Sequence, residues 1–132
     1  MPTSWDRLVA LHGRVEQELT RALAPHTLGL SEYRALTRLT TAHCGELRMQ
    51  NLAEALGLNQ SSVSRLVARL EQTGLTARSI CAEDRRGIYT AITDHGRAKQ
   101  AAATPDYESA LRAALAGASE DPDLADLVAL VR

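Results

Sequence analysis

Residues 50–66 read Gln50-Asn51-Leu52-Ala53-Glu54-Ala55-Leu56-Gly57-Leu58-Asn59-Gln60-Ser61-Ser62-Val63-Ser64-Arg65-Leu66. Two helices that cross at a tight turn need a small residue where they touch, and Ala53 stands at that position. Four residues on, the turn needs a residue that tolerates positive φ, and Gly57 supplies it. Leu52, Leu56, Leu58, Val63, Leu66 and Leu70 are spaced to lock the second helix against the first. The pattern predicts a helix-turn-helix, with one helix over about Met49–Leu56 and the next from Asn59 or Gln60 to Thr73. Gly57 and Gly74 stand where left-handed C-terminal caps are wanted.

Outward from this core the periodicity changes. Leu75–Cys81 and Ile88–Thr93 are richer in branched residues and predict two strands, with the polar Ala82–Gly87 segment as the hairpin tip. Upstream, Leu8, Val9, Leu11, Val15, Leu19 and Leu23 mark an amphipathic helix from Trp5 to Leu23, with Ser4 as its cap and Pro25 near its end. A second helix, capped by Ser31, carries Tyr33, Leu36 and Leu39. Ala42–Gly45 breaks it, and Glu46-Leu47-Arg48 has the makings of a short strand. Downstream, Asp94 is expected to cap a long helix with Pro105 as a kink or interruption. Ser119 or Asp121 is expected to open a final helix bearing Leu124, Leu127, Val128, Leu130 and Val131. The fold class is therefore mainly α with a small β-hairpin wing: a winged helix-turn-helix flanked by N- and C-terminal dimerisation helices.

The 132-residue chain fits one domain able to bury a core without disulfides or metal. Its apolar content of 45% draws mainly on Ala, Leu and Val, with no Phe and one Trp, a composition that suits helices. The net charge of −1 hides an asymmetry. Residues 60–90 carry five arginines against three acids, a balance of +2, whereas residues 101–132 carry two arginines against six acids, a balance of −4. Positive potential is concentrated in the middle of the chain.

That is where a nucleic-acid contact belongs. Gln60, Ser61, Ser62, Ser64, Arg65 and Arg69 lie on the helix side away from the apolar set. Small hydroxyl and amide side chains near a helix N-terminus approach base edges in a major groove, and the arginines reach bases or phosphates. In the wing, an arginine at Arg85 or Arg86 suits a narrow minor groove, and Asp84 is placed to hold Arg86 extended through a charge-assisted hydrogen bond. Arg78 completes the basic set. By themselves, exposed serines and arginines are ordinary solvated residues and the Asp84-Arg85-Arg86 triplet an ordinary turn. Their position in and behind a helix-turn-helix makes double-stranded DNA the expected partner.

Leu52-Ala53-Glu54-x-Leu56-Gly57, Val63-Ser64-Arg65-Leu66-Val67-x-Arg69-Leu70-Glu71-x-x-Gly74-Leu75, Arg78, Asp84-Arg85-Arg86 and Thr93-x-x-Gly96-Arg97 together resemble the MarR family signature, and Ser31-Glu32-Tyr33-Arg34-Ala35-Leu36 resembles that family's second helix. The likeness covers residues 28–100 closely and the flanking helices by pattern only. It implies a single domain over 1–132, with a DNA-binding lobe at 28–100 and dimerisation helices at 1–27 and 101–132. It further implies a regulator, expected to be a repressor, that binds a palindromic operator as a homodimer, with the helix at 60–73 in the major groove and Arg86 in the minor groove. Many members respond to a small aromatic effector, for which Trp5, His12, His26, Tyr33 and Arg34 are candidates, although the same residues equally serve as core.

Other functions have less behind them. Cys44 and Cys81 raise a redox-sensing alternative, but the family's peroxide sensors carry their cysteine in the first helix, where this chain has none. His43-Cys44-x-Glu46 and His95 are thin material for a metal site. No nucleophile–base pairing, phosphate loop or cofactor motif is legible, so no enzyme and no cofactor is expected. A winged helix protein-interaction module is the alternative of a different class, and it would lack the basic face that Arg65, Arg69, Arg85 and Arg86 supply. No signal peptide or run of ~18 apolar residues stands out, so a cytoplasmic, reduced protein without a membrane partner is the expectation.

Overall fold

The computed structural model describes residues 2–132 apart from Ala82 and Glu83, and the side chains of residues 80–87 lie outside the description. The chain folds as two compact units, one formed by Met1–Leu30 and Ala103–Arg132 and the other by Ser31–Ala102. In order, the elements are α1 (Ser4–Leu23), α2 (Leu30–Thr41), β1 (Glu46–Arg48), α3 (Met49–Leu56), α4 (Gln60–Gln72), β2 (Thr76–Cys81), β3 (Asp84–Ile92), α5 (Asp94–Ala118) and α6 (Ala125–Val131). Among the described residues, no helix is long and apolar enough to cross a membrane.

In the unit that holds both termini, Leu11 of α1 packs with Leu115 and Ala118 of α5 and with Leu124 and Val128, and Val15, Leu111 and Leu127 flank this cluster. Leu111, Leu115 and Ala118 recur at helical spacing, so one stripe of α5 faces the cluster. Arg7 reinforces the packing by donating to the Asp123 carbonyl at 2.6 Å and to the Asp126 carboxylate. His26 lies 2.7 Å from Asp106 of α5. Another apolar set is left uncovered: Trp5, Leu8, Val9, Leu130 and Val131 are all exposed, Leu130 at 81%.

The cap of α1 is Thr3 rather than Ser4. The Thr3 hydroxyl accepts from the Asp6 N–H at 3.1 Å, and the Asp6 carboxylate accepts from the Thr3 N–H at 3.0 Å. This reciprocal pairing spans three residues, so Asp6 sets the frame of the first turn. At the other end of the unit, α6 opens at Ala125, later than Ser119 or Asp121. The Asp121 carboxylate instead accepts from the Asp123 N–H at 2.9 Å and holds a turn ahead of the helix. Helix α5 runs through Pro105 as one element, so of the kink or interruption expected there the interruption is absent.

In the second unit, β1, β3 and β2 form an antiparallel sheet in that order. Thr90 of β3 pairs with Leu47 on one side and with Arg78 on the other. The short strand at Glu46–Arg48 is therefore real, and it extends the two-stranded wing to three. Helix α3 packs on α4 and on β1, and α4 packs on β2. Leu52, Ala53, Val63, Leu66, Val67, Leu70 and Leu75 are buried here, with Tyr33, Ala35, Leu36 and Leu39 of α2 also buried.

Boundaries in this unit also differ from expectation. Ser31 falls inside the first turn of α2, which starts at Leu30. The cap of α5 is Thr93, not Asp94: its hydroxyl accepts from the Gly96 N–H at 3.0 Å, and its carbonyl accepts from the Arg97 N–H at 2.9 Å. Finally, β3 starts at Asp84 and not at Ile88, because the ladder continues past a register shift to the pair Cys81↔Asp84. Asp84, Arg85 and Arg86 thus belong to the strand by backbone instead of forming a turn. Their side chains lie outside the described residues.

Candidate nucleic-acid interface

The turn between α3 and α4 is built as its composition requires. Gly57 adopts φ +67 and closes α3, and a Cβ at that position would meet nothing within 4 Å. Conformation, not space, therefore selects glycine there. The Leu58 N–H reaches back to the Ala53 carbonyl at 3.0 Å. Asn59 then caps α4, its side-chain oxygen accepting from the Ser62 N–H at 2.8 Å. The start of α4 is held from both sides, which fixes where its N-terminal side chains emerge.

Helix α4 is sharply two-sided. Val63, Leu66, Val67 and Leu70 are buried, while Gln60, Ser61, Ser64, Arg65 and Arg69 are exposed. Ser62 is half-buried beneath its cap and is the least available of the predicted contacts. Two grooves flank the helix. On the wing side, a cavity of about 170 Å³ is lined by Ser64, Val67, Glu71, Arg78, Tyr89 and Thr90 among others. Here Arg78 donates from Nε to Glu71 Oε1 at 3.3 Å, so its charge is partly answered within the protein. On the opposite side, a groove of about 270 Å³ is lined by Ser31, Leu58, Ser62, Arg65, Leu66 and Arg69.

Behind α3, Arg48 donates from Nε to the Tyr89 hydroxyl at 3.1 Å, with its guanidinium carbon 5.5 Å from the ring centroid. This cation–π contact joins the residue before α3 to the centre of the wing sheet. Nothing in the local pattern of either segment marks the pair, because it depends on the β1–β3 register. From sequence Ser31 likewise reads only as a cap, and its place in the groove beside α4 comes from the tertiary fold.

The candidate sensor residues are dispersed in kind. Trp5 is 69% exposed, and His12 lies 3.0 Å from Glu16 one turn along α1. Tyr33 is buried and Arg34 half-buried. Cys44 is an exposed free thiol held at φ +58, and the side chain of Cys81 lies outside the described residues. The Glu46 carboxylate accepts from the Ser79 hydroxyl at 2.7 Å and so serves the sheet. His95 is exposed on α5.

Two helices at a glycine turn, an outward polar face on the second and a three-stranded antiparallel sheet behind it define a winged helix-turn-helix module. The model of the MarR family matches residues 28–88. Among curated proteins, the HTH-type transcriptional regulator YwaE of Bacillus subtilis is 27% identical over 108 residues, covering 82% of this chain and 61% of its own length. The chain spans about half the length of the curated relatives it matches. Among solved structures, Sco3205, a MarR family regulator from Streptomyces coelicolor in complex with DNA, is 26% identical with a TM-score of 0.76, covering 99% of this chain and 88% of that one. CouR from Rhodococcus jostii RHA1, bound to p-coumaroyl-CoA, is 29% identical with a TM-score of 0.73, covering 78% and 71%. The family model and these likenesses together support a MarR family winged helix regulator.

Proposed function

We propose that this chain regulates transcription by binding a palindromic DNA operator as a homodimer, acting as a repressor that a small-molecule effector releases. The observation that carries the reading is the outer face of α4, where Gln60, Ser61, Ser64, Arg65 and Arg69 are all exposed on a helix whose start is fixed by Gly57 and Asn59. In this reading that face enters the major groove. Arg78, with Asp84, Arg85 and Arg86 of the wing, tracks the adjacent backbone and minor groove. The relative Sco3205, solved with DNA, supports the partner, and CouR, solved with an acyl-CoA thioester, supports a small-molecule effector.

The homodimer rests on the uncovered apolar set of the first unit. Trp5, Leu8 and Val9 at the start of α1, with Leu130 and Val131 at the end of α6, leave a surface that a second copy would bury. Two-fold pairing would set the two copies of α4 about 34 Å apart, one turn of the duplex. Selection of binding sites from a random duplex pool tests the whole reading. The expected product is an inverted repeat bound at least about a thousandfold more tightly than shuffled DNA. Recovery of no enriched sequence would overturn it.

A further inference from the structure

Helix α4 presents two stripes, on opposite sides, to two different grooves. Ser64, Val67, Ala68 and Glu71 face the wing strands, whereas Ser62, Arg65, Leu66 and Arg69 face the groove shared with Ser31 of α2. The electrostatics of the two differ. On the wing side Arg78 has Glu71 as its ion-pair partner. The α2-side lining includes two arginines and two serines and no acidic residue. Among the described residues, neither Arg65 nor Arg69 has an acid within ion-pair distance. Two uncompensated cations with hydroxyl donors around one open groove match a tetrahedral oxyanion. Ser31 stands in the first turn of α2, where the helix dipole also favours negative charge. Glu32, in the same turn, is half-buried and takes no part in the lining.

We infer that this groove seats one backbone phosphate of the bound duplex, held by Ser31 and Arg69 with Arg65 alongside. The inference rests on the DNA-binding reading above and adds a contact that lies outside the helix-turn-helix motif. It assigns Arg69 to the backbone and not to a base edge, leaving Gln60, Ser61 and Ser64 to read sequence. It also makes Ser31 a positioning contact, one that sets the depth at which α4 enters the groove.

The test measures binding by fluorescence anisotropy across a salt series. The probes are a duplex recovered by the protein from a random pool and a shuffled duplex of equal length. Arg69→Gln is expected to weaken both by the same factor and to lower the slope of log K against log salt by about 0.9, the loss of one phosphate contact. Ser31→Asp, which puts a carboxylate where the phosphate would sit, is expected to weaken both duplexes by at least about tenfold. Circular dichroism on each variant separates a lost contact from a lost fold. Ser31→Asp at wild-type affinity in a folded protein overturns the phosphate seat and leaves DNA binding standing, as does an Arg69→Gln defect confined to the selected sequence. A wild-type chain that retains neither duplex overturns the DNA reading and the seat with it.

Discussion

The Thr93 hydroxyl donates to the Gly74 carbonyl at 2.6 Å while accepting from the Gly96 N–H at 3.0 Å. One side chain thereby joins the turn that ends α4 to the first turn of α5. The Thr93 N–H adds a bond to the Leu75 carbonyl at 3.1 Å. Thr93→Val keeps the shape and removes both hydroxyl bonds. It is expected to cost about 1–2 kcal/mol of stability in urea unfolding, within the range for a lost helix cap, and Thr93→Ser should recover most of that loss. A valine variant as stable as the wild type would remove the cap from the account.

Two glycines in helices should respond in opposite ways to alanine. At Gly96, an added Cβ would overlap the Leu75 carbonyl oxygen and come within 2.9 Å of Ile92 Cγ1. The carbonyl is backbone and has no rotamer to escape into, so Gly96→Ala is expected to cost about 2–3 kcal/mol or more. At Gly13, in the middle of α1, an added Cβ would meet nothing within 4 Å. Helix propensity then acts alone, and Gly13→Ala should stabilise the fold by up to about 1 kcal/mol. Thermal unfolding of the two variants side by side reads the contrast.

The Thr3–Asp6 box has an acid signature. Bonds from the Thr3 backbone N–H, and then from its hydroxyl, hold the Asp6 carboxyl below its ordinary value of 3.8. A carboxyl depressed in the folded state contributes stability above its unfolded pKa, and that contribution fades as pH falls through the folded value. Asp6 should therefore titrate below 3.8 by NMR, and Thr3→Ala should return it toward that value. Asp6→Asn should flatten the most acidic part of the stability profile. An unshifted titration in the intact protein would contradict the box.

How far the sequence reaches depends on whether a feature is local. The α3–turn–α4 segment is legible to within a residue, because Ala53, Gly57 and the leucines each answer a constraint set by close neighbours. Helix starts differ from expectation by one residue at α1 and α5, and by more at α2 and α6, since serine, threonine and aspartate all make acceptable caps. At α1 the Asp6 carboxylate, three positions on, favours Thr3 by accepting from its N–H, whereas at α5 the Gly74 carbonyl that Thr93 also reaches comes from the tertiary fold. Strand β3 starts four residues before its branched run, because cross-strand pairing overrides the polar composition of Asp84–Gly87. The Arg48–Tyr89 contact and the groove between Ser31 and Arg69 join segments distant in sequence. Only the fold brings them together, so no local spacing announces them.

The uncovered apolar residues of the first unit carry the dimer reading. A glutamate at Leu8 or Val9 replaces exposed apolar surface and should leave the monomer fold intact, since Leu8 is 42% and Val9 52% exposed. In a dimer each would bury an unpaired charge, which proteins accommodate poorly. Leu8→Glu with Val9→Glu is therefore expected to shift sedimentation from dimer toward monomer and to weaken operator binding more than shuffled-duplex binding. An unchanged dimer would place the interface elsewhere.

On the DNA-binding reading proposed above, Glu71 sets how much of Arg78 is available to the duplex. The pair is separated by 3.3 Å, with the Arg78 side chain 71% exposed, so its contribution to folding stays under about 1 kcal/mol. In the proposed complex its effect on binding is expected to be larger, because a carboxylate beside the duplex would oppose the phosphates and occupy a guanidinium that could otherwise neutralise one. Glu71→Gln should tighten binding to both operator and shuffled duplex several-fold at low salt, with the gain shrinking as salt screens it. Arg78→Ala should cost more affinity in the Glu71→Gln background than in the wild type, because there the arginine is fully committed to DNA. The double-mutant cycle isolates that coupling. Equal losses in the two backgrounds would mean that Glu71 leaves Arg78 free for the duplex from the start, and the ion pair would then have no bearing on binding.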